Sequence, residues 1–244
     1  MRPALLSLFL AGCRFGFGYQ AVADADVISP DANVFSCATS PDGTPCDDQN
    51  ICTATSVCSA GACVGNGDAT CEVAHSMQDF SEQQGAGGWY YGCWDISDDV
   101  DGIYEASDFQ AMMDVSGVWR PIGWVNAPDP NFTWAYLAAW GGHPGSYPIQ
   151  RADVRRWVST VEGNAFARVM HKKADTGGGD GTRAMLFVDG QMVLTRDVAG
   201  DDGVGFTEDV PVTLHVGTTV DLLLHFIGDD SVDTTTQELD IVSR

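Results

Sequence analysis

The sequence predicts an all-β protein, an antiparallel jelly-roll β-sandwich preceded by a small disulfide-rich module. Six cysteines crowd into residues 37–71 of a 244-residue chain. Apolar residues alternate with polar ones in several later segments. Helical periodicity with caps is almost absent, while 28 glycines and many turn clusters punctuate the chain.

Composition supports a folded protein, with 44% hydrophobic and 19% charged residues. The balance is strongly acidic: 34 Asp and Glu against 12 Lys and Arg give a formal charge of −22. A field of that sign repels phosphate backbones and anionic lipid surfaces, so nucleic acid is excluded as a partner. Asp outnumbers Glu 28 to 6, a bias that suits turns, loops and oxygen-ligand cation sites.

The chain opens with Arg2, an apolar run from Ala4 to Leu10, and Leu10-Ala11-Gly12-Cys13. The last four resemble the lipobox of bacterial lipoproteins, which makes residues 1–13 a lipoprotein signal peptide with Cys13 as the lipidated residue. The run is too short to span a membrane. An ordinary secretory signal with an incidental Cys13 is the alternative, and both export the chain. Arg14 is not the aspartate that retains such lipoproteins at the inner membrane, so the resemblance implies the outer membrane or cell surface, with membrane contact only through the anchor. Residues 14–36 lack periodicity and read as a flexible tether.

Cys37, Cys46, Cys52, Cys58, Cys63 and Cys71 are even in number and closely spaced. In an exported chain this implies three disulfides, with the pairing open. A structural zinc site is disfavoured, because no C-x-x-C pair is present and His75 lies outside the cluster. Asp42 to Val64 resembles the short cysteine-rich repeats of secreted bacterial proteins, which implies a spacer or adhesion module.

Residues 72–244 read as the sandwich. Ala184–Val188 and Gln191–Leu194 flank Asp189-Gly190, a two-residue hairpin signal. Val210, Val212 and Leu214 alternate, as do Val220, Leu222, Leu224 and Phe226, which puts each set on one buried face. Gln84-Gly85 with Gly88 to Asp95, Val154 to Trp157, Lys173 with Gly177 to Gly181, and Asp233 to Thr235 before Leu239 and Ile241 resemble a β-sandwich domain of secreted proteins from environmental bacteria. That domain is similar in build to galactose-binding-like carbohydrate-binding modules, and the resemblance implies glycan binding by analogy. Cys93 stands where that pattern shows an aromatic residue, and reads as a buried free thiol.

All seven tryptophans lie between Trp89 and Trp157. Trp89 and Trp157 are expected in the core. Trp119, Trp124, Trp134 and Trp140 share a Gly/Pro-rich stretch with Asn126, Asp129, Asn131 and His143. Indoles can stack on the C–H face of a sugar while amides, carboxylates and Arg155 bond its hydroxyls, so these nine residues are the expected ligand site. Asp99, Asp101 and Asp108 have a partial calcium-loop spacing, and Asp180 could hold calcium from the Gly-rich loop. Plain acidic turns and amide capping explain the same residues, which leaves structural Ca2+ as the single cofactor to consider.

Catalysis finds little support. His75, His143, His171, His215 and His225 show no metalloprotease spacing, and no nucleophile elbow is present. His171, Lys172 and Arg155 could serve a lyase, but a charged strand edge explains them as well. The sequence therefore predicts a non-enzymatic surface lipoprotein that binds a glycan or a cell-envelope partner. A structural or adhesive envelope protein and a polysaccharide-degrading enzyme are the alternatives.

Overall fold

The computed structural model describes residues 36–48, 50–53, 55–66, 71–121 and 134–243, and Ser36–Arg244 form one compact unit. Cys13, Trp124, Asn126, Asp129 and Asn131 lie outside the described residues.

Strands β1 (Pro45–Cys46), β2 (Ser56–Ser59) and β3 (Ala62–Gly65) form a small antiparallel sheet. The six cysteines pair as Cys37–Cys58, Cys46–Cys63 and Cys52–Cys71. A segment this small buries little apolar surface, so covalent links replace a core. The third bridge ends on β4 (Cys71–His75), which is already a strand of the sandwich and pairs with β17 (Thr235–Ser243). Ser243 Oγ also donates to Asn50 Oδ1 at 2.8 Å. The module is thus stitched to the sandwich by a disulfide, a strand and a side-chain bond.

Two antiparallel sheets face each other over the main core. The first contains β15 (Phe206–Leu214), β12 (Gly163–Lys173), β17, β10 (Gly141–His143), β9 (Tyr136–Ala138), β8 (Trp119–Arg120) and β7 (Met113–Asp114) in that order, with β4 also on β17. The second runs β14 (Gln191–Val198), β13 (Thr182–Val188), β16 (Thr219–Phe226), β11 (Arg151–Val158), β5 (Trp89–Asp95) and β6 (Phe109–Ala111). From β11 onward the chain switches sheets at every connection except the β13–β14 hairpin, which is jelly-roll winding.

Trp89, Tyr91, Trp157, Leu186 and Leu222 from the second sheet meet Ala167, Val169, Leu214, Leu239 and Ile241 from the first. Each such side chain contributes roughly 1.5–3 kcal/mol by leaving water. The expected alternations are observed, with Val210, Val212, Leu214, Val220, Leu222, Leu224 and Phe226 all buried. Asp189 (φ 47°) and Gly190 (φ 77°) turn the hairpin as expected.

Strand β16 departs from simple alternation, because Leu223 and Asp221 on its other face are buried too. The segment after β5 folds back over that face. Trp94, Tyr104, Ala152, Val154, Phe187 and Leu223 form a second, smaller apolar cluster there. Arg156 and the Tyr104 hydroxyl both donate to Asp221, at 2.7–2.8 Å, which satisfies the buried carboxylate.

The motif around Gln84 is structural. Its amide nitrogen donates to the Tyr91 and Met112 carbonyls, and its oxygen accepts from Tyr91 N. Gly88 has φ 83°, and a Cβ there would lie 2.7 Å from the Val158 carbonyl oxygen, so a side chain is barred twice over. Cys93 is the free thiol among the described cysteines, and burial pushes its pKa up to about 12.

His171 and Lys173 are buried from β12. Gln237 Nε2 lies 3.2 Å from His171 Nδ1, and Thr182 Oγ1 lies 2.9 Å from Nε2. An amide nitrogen only donates, so Nδ1 accepts and the ring proton sits on Nε2. Burial, with the charge of Lys173, pushes the His171 pKa down to about 3. An unfolded chain, with His near its ordinary value of 6.5, takes up a proton as pH falls while the native ring does not. His171 therefore costs the fold stability as pH drops below that value. Asp233 and Asp240, both pushed up to about 6, act in the opposite sense. The difference between the native protein and His171→Gln isolates the ring. Its stability penalty, read by urea unfolding, should shrink between about pH 7 and about pH 5; a penalty equal at both would refute the assignment.

Candidate functional site

The outward face of β8, β9 and β10 gathers the exposed aromatic residues of the expected ligand region. Trp119 pairs with Leu137 and both point into the core. Alternation then turns Arg120, Tyr136 and, two residues before it, Trp134 outward. His143 is the direct cross-strand partner of Tyr136. Trp140 stands in the turn between β9 and β10.

Tyr136, Trp140, His143 and Arg120 form one patch. Trp134 is 60% and Trp140 42% exposed. Tyr136 lies edge-on to Trp140 at 6.3 Å and stacks on His143 at 6.0 Å with 16° between the planes. The Arg120 guanidinium sits 5.2 Å from the Tyr136 centroid, within cation–π range. Burial lowers the His143 pKa. Its Nδ1 lies 2.6 Å from the Pro144 carbonyl; a carbonyl only accepts, so Nδ1 carries the proton and Nε2 is left as an acceptor.

Two expected ligand residues take other roles. Trp119 is 3% exposed, stacks on Tyr91 at 5.1 Å and donates from Nε1 to the Ser81 carbonyl at 3.0 Å, so it is core rather than platform. Arg155 is fully buried. It starts on β11, crosses the core and donates from Nη2 to the Ala138 and Gly141 carbonyls, the latter at 2.9 Å. Those carbonyls flank the turn that carries Trp140. Arg155 therefore positions the patch from beneath and touches no external ligand.

Asp153, two residues earlier on the same strand face, lies under the same hairpin. Burial drives its pKa well up, against the lowering pull of the His143 and Tyr136 backbone amides and the Arg155 charge. Arg155 is itself pushed down to about 10 by burial and stays a cation at neutral pH. Glycine is required at 142, where a Cβ would come within 2.4 Å of the Tyr136 carbonyl oxygen and 2.9 Å of Asp153 Oδ2.

The acidic loop caps its own chain. Asp99 accepts from Trp94 Nε1 at 2.7 Å and from the amides of Asp101 and Gly102. Asp101 accepts from Ile103 N and Asp108 from Glu105 N. A cleft of about 140 Å³ lies beside Trp94, Asp98, Asp99 and Asp108. Asp180 accepts from Asp229 N at 3.1 Å and abuts Gly228. Each of the four carboxylates considered for calcium thus accepts at least one backbone amide.

His171 and Arg155, considered above for a lyase, are buried, and Lys172 alternates to the opposite face of β12. Tyr136 and Arg120 were not singled out by the sequence reading. The two-residue period from Trp134 marks Tyr136, whereas nothing local marks Arg120. No protein family, no curated protein and no solved structure matches the chain.

Arg155→Met would leave two hairpin carbonyls without their donor and remove a cation that favours the Asp153 carboxylate. Urea unfolding should show a loss of about 3–5 kcal/mol, the range for breaking a buried charge network. Trp119→Ala should cost a similar amount through its cavity, about 3–5 kcal/mol. Trp140→Ala, in the exposed turn, should change stability by less than about 1 kcal/mol. Equal losses at positions 119 and 140 would contradict the division into core and platform.

Proposed function

We propose that this chain is a lipid-anchored protein of the outer membrane or cell surface whose sandwich binds a carbohydrate without turning it over. The observation behind this reading is the exposed Trp140 grouped with Tyr136, His143 and Arg120, and the exposure of Trp134 two residues before Tyr136. Flat rings offer a surface for the apolar face of a sugar. The guanidinium and the imidazole Nε2 supply a donor and an acceptor for hydroxyls at the edge. The strongly acidic surface disfavours highly anionic ligands and suits neutral glycans. Three disulfides agree with an oxidising compartment outside the cytoplasm.

The test is a glycan array probed with the full exported chain. Trp134→Ala and Trp140→Ala should each weaken binding about ten- to a hundredfold at an unchanged melting temperature, equivalent to about 1.4–2.7 kcal/mol. A native protein that binds no neutral or acidic glycan, yet adheres to envelope preparations, would instead support a purely adhesive role. Binding that survives both tryptophan substitutions would remove the platform from the proposal.

A further inference from the structure

We propose that Glu72, His75, Glu238 and Asp240 form a site for one divalent transition-metal cation of the zinc or manganese class. The four side chains meet on the outward face of the first sheet, where β4 lies against β17. His75 pairs directly with Asp240 across the two strands. Its Nε2 is 3.3 Å from Glu238 Oε1 and 3.9 Å from Glu72 Oε1. Its Nδ1 is 3.3 Å from Asp240 Oδ1. One ligand atom from each of Glu72, His75 and Asp240 lies within 4.8 Å of the others.

Two observations separate this cluster from an ordinary acidic surface. The Asp240 side chain is only 7% exposed, yet its Oδ1 and the His75 Nδ1 that faces it at 3.3 Å make no well-formed hydrogen bond, with each other or with any other group. Such a buried, unsatisfied pair carries a cost that a fold normally avoids. Charge points the same way. Three carboxylates converge on one imidazole, and the nearby cation, Arg168, which faces Asp240 across β12, is already bonded to Asp209 at 2.9 Å. Even a protonated His75 leaves the cluster negative.

A cation on the Nε2 side offsets the converging carboxylates and acts on the Nδ1–Asp240 pair through the ring tautomer it imposes. Metal–ligand bonds of about 2.0–2.2 Å place neighbouring ligands roughly 3.0–3.6 Å apart, close to the His75–Glu238 separation already present. Glu72, with a half-exposed side chain, needs only a small rotamer adjustment to join. Metal on Nε2 fixes the ring proton on Nδ1, aimed at Asp240, which is the carboxylate–histidine–metal relay that orients an imidazole ligand. The imidazole selects against calcium and magnesium, which take all-oxygen shells. The site differs from the acidic loop and the Gly-rich loop, whose carboxylates are taken up by amides, and it does not depend on the glycan reading. A bound cation would join β4, which carries the Cys52–Cys71 bridge, to β17.

The full exported chain, stripped with chelator, should take up one equivalent of Zn2+ or Mn2+ in a calorimetric titration and melt at a higher temperature when loaded. His75→Ala should abolish the stoichiometric phase. Asp240→Asn, which keeps shape but weakens the relay, should reduce affinity about ten- to a hundredfold. Glu72→Gln, at a half-exposed position that leaves the fold intact, should weaken binding more than about tenfold, and it decides the matter if His75→Ala fails to fold. No stoichiometric uptake, a preference for Ca2+, or zinc binding unchanged in Glu72→Gln would each overturn the assignment.

Discussion

Above the shared apolar core, a single buried guanidinium links the second sheet to the β9–β10 hairpin of the first. Arg155 leaves β11 in the second sheet and donates from Nη2 to carbonyls of the β9–β10 hairpin in the first. The hairpin is short, with three-residue strands that could not hold a fixed orientation through their own ladder. Its alternatives are a turn satisfied by water and a turn satisfied from below. Burial makes the second far more restrictive, because a charge in a dry interior tolerates few positions for its acceptors. Asp153 and the glycine at 142 complete the seat by bringing the hairpin backbone down onto the core.

The same economy appears at the other end of the sandwich. The cysteine module cannot stand on an apolar core, and it is not left to do so. Cys71 is at once the last cysteine of the module and the first residue of a sandwich strand, so the boundary runs through a single residue. The module, expected as a spacer or adhesion element, is braced against the C-terminal strand.

Much of the fold was legible, because the forces that set it are local. Asp189-Gly190 adopts positive φ whatever surrounds it, and alternation along 210–214 follows from one face being wet. Leu223 was not legible as buried, since what covers it is the loop after β5, a tertiary event. Arg155 was misread for a related reason: a basic residue near aromatic ones suggests a ligand contact. Yet Trp157, two positions along and expected in the core, shares its strand face, and that parity was the available signal. Trp119 offered no such neighbour, as its strand is two residues long and its Gly/Pro-rich context speaks only of loops.

The two sheets differ in what their outer faces are made of. The second sheet covers its outer face with Trp94, Tyr104 and Phe187, and closes it with the Arg156–Asp221–Tyr104 network. Strand β14, at the edge of that sheet, stays largely exposed, with Met192 and Val193 uncovered. The first sheet keeps Arg120, Tyr136, His143, Glu238 and Arg168 only partly buried. A sheet face left polar and aromatic, with its geometry held by buried charges behind it, gains nothing in folding from that choice, since apolar residues under a covering loop would stabilise it more. That open face is the one on which the proposed glycan platform and the proposed cation cluster both stand.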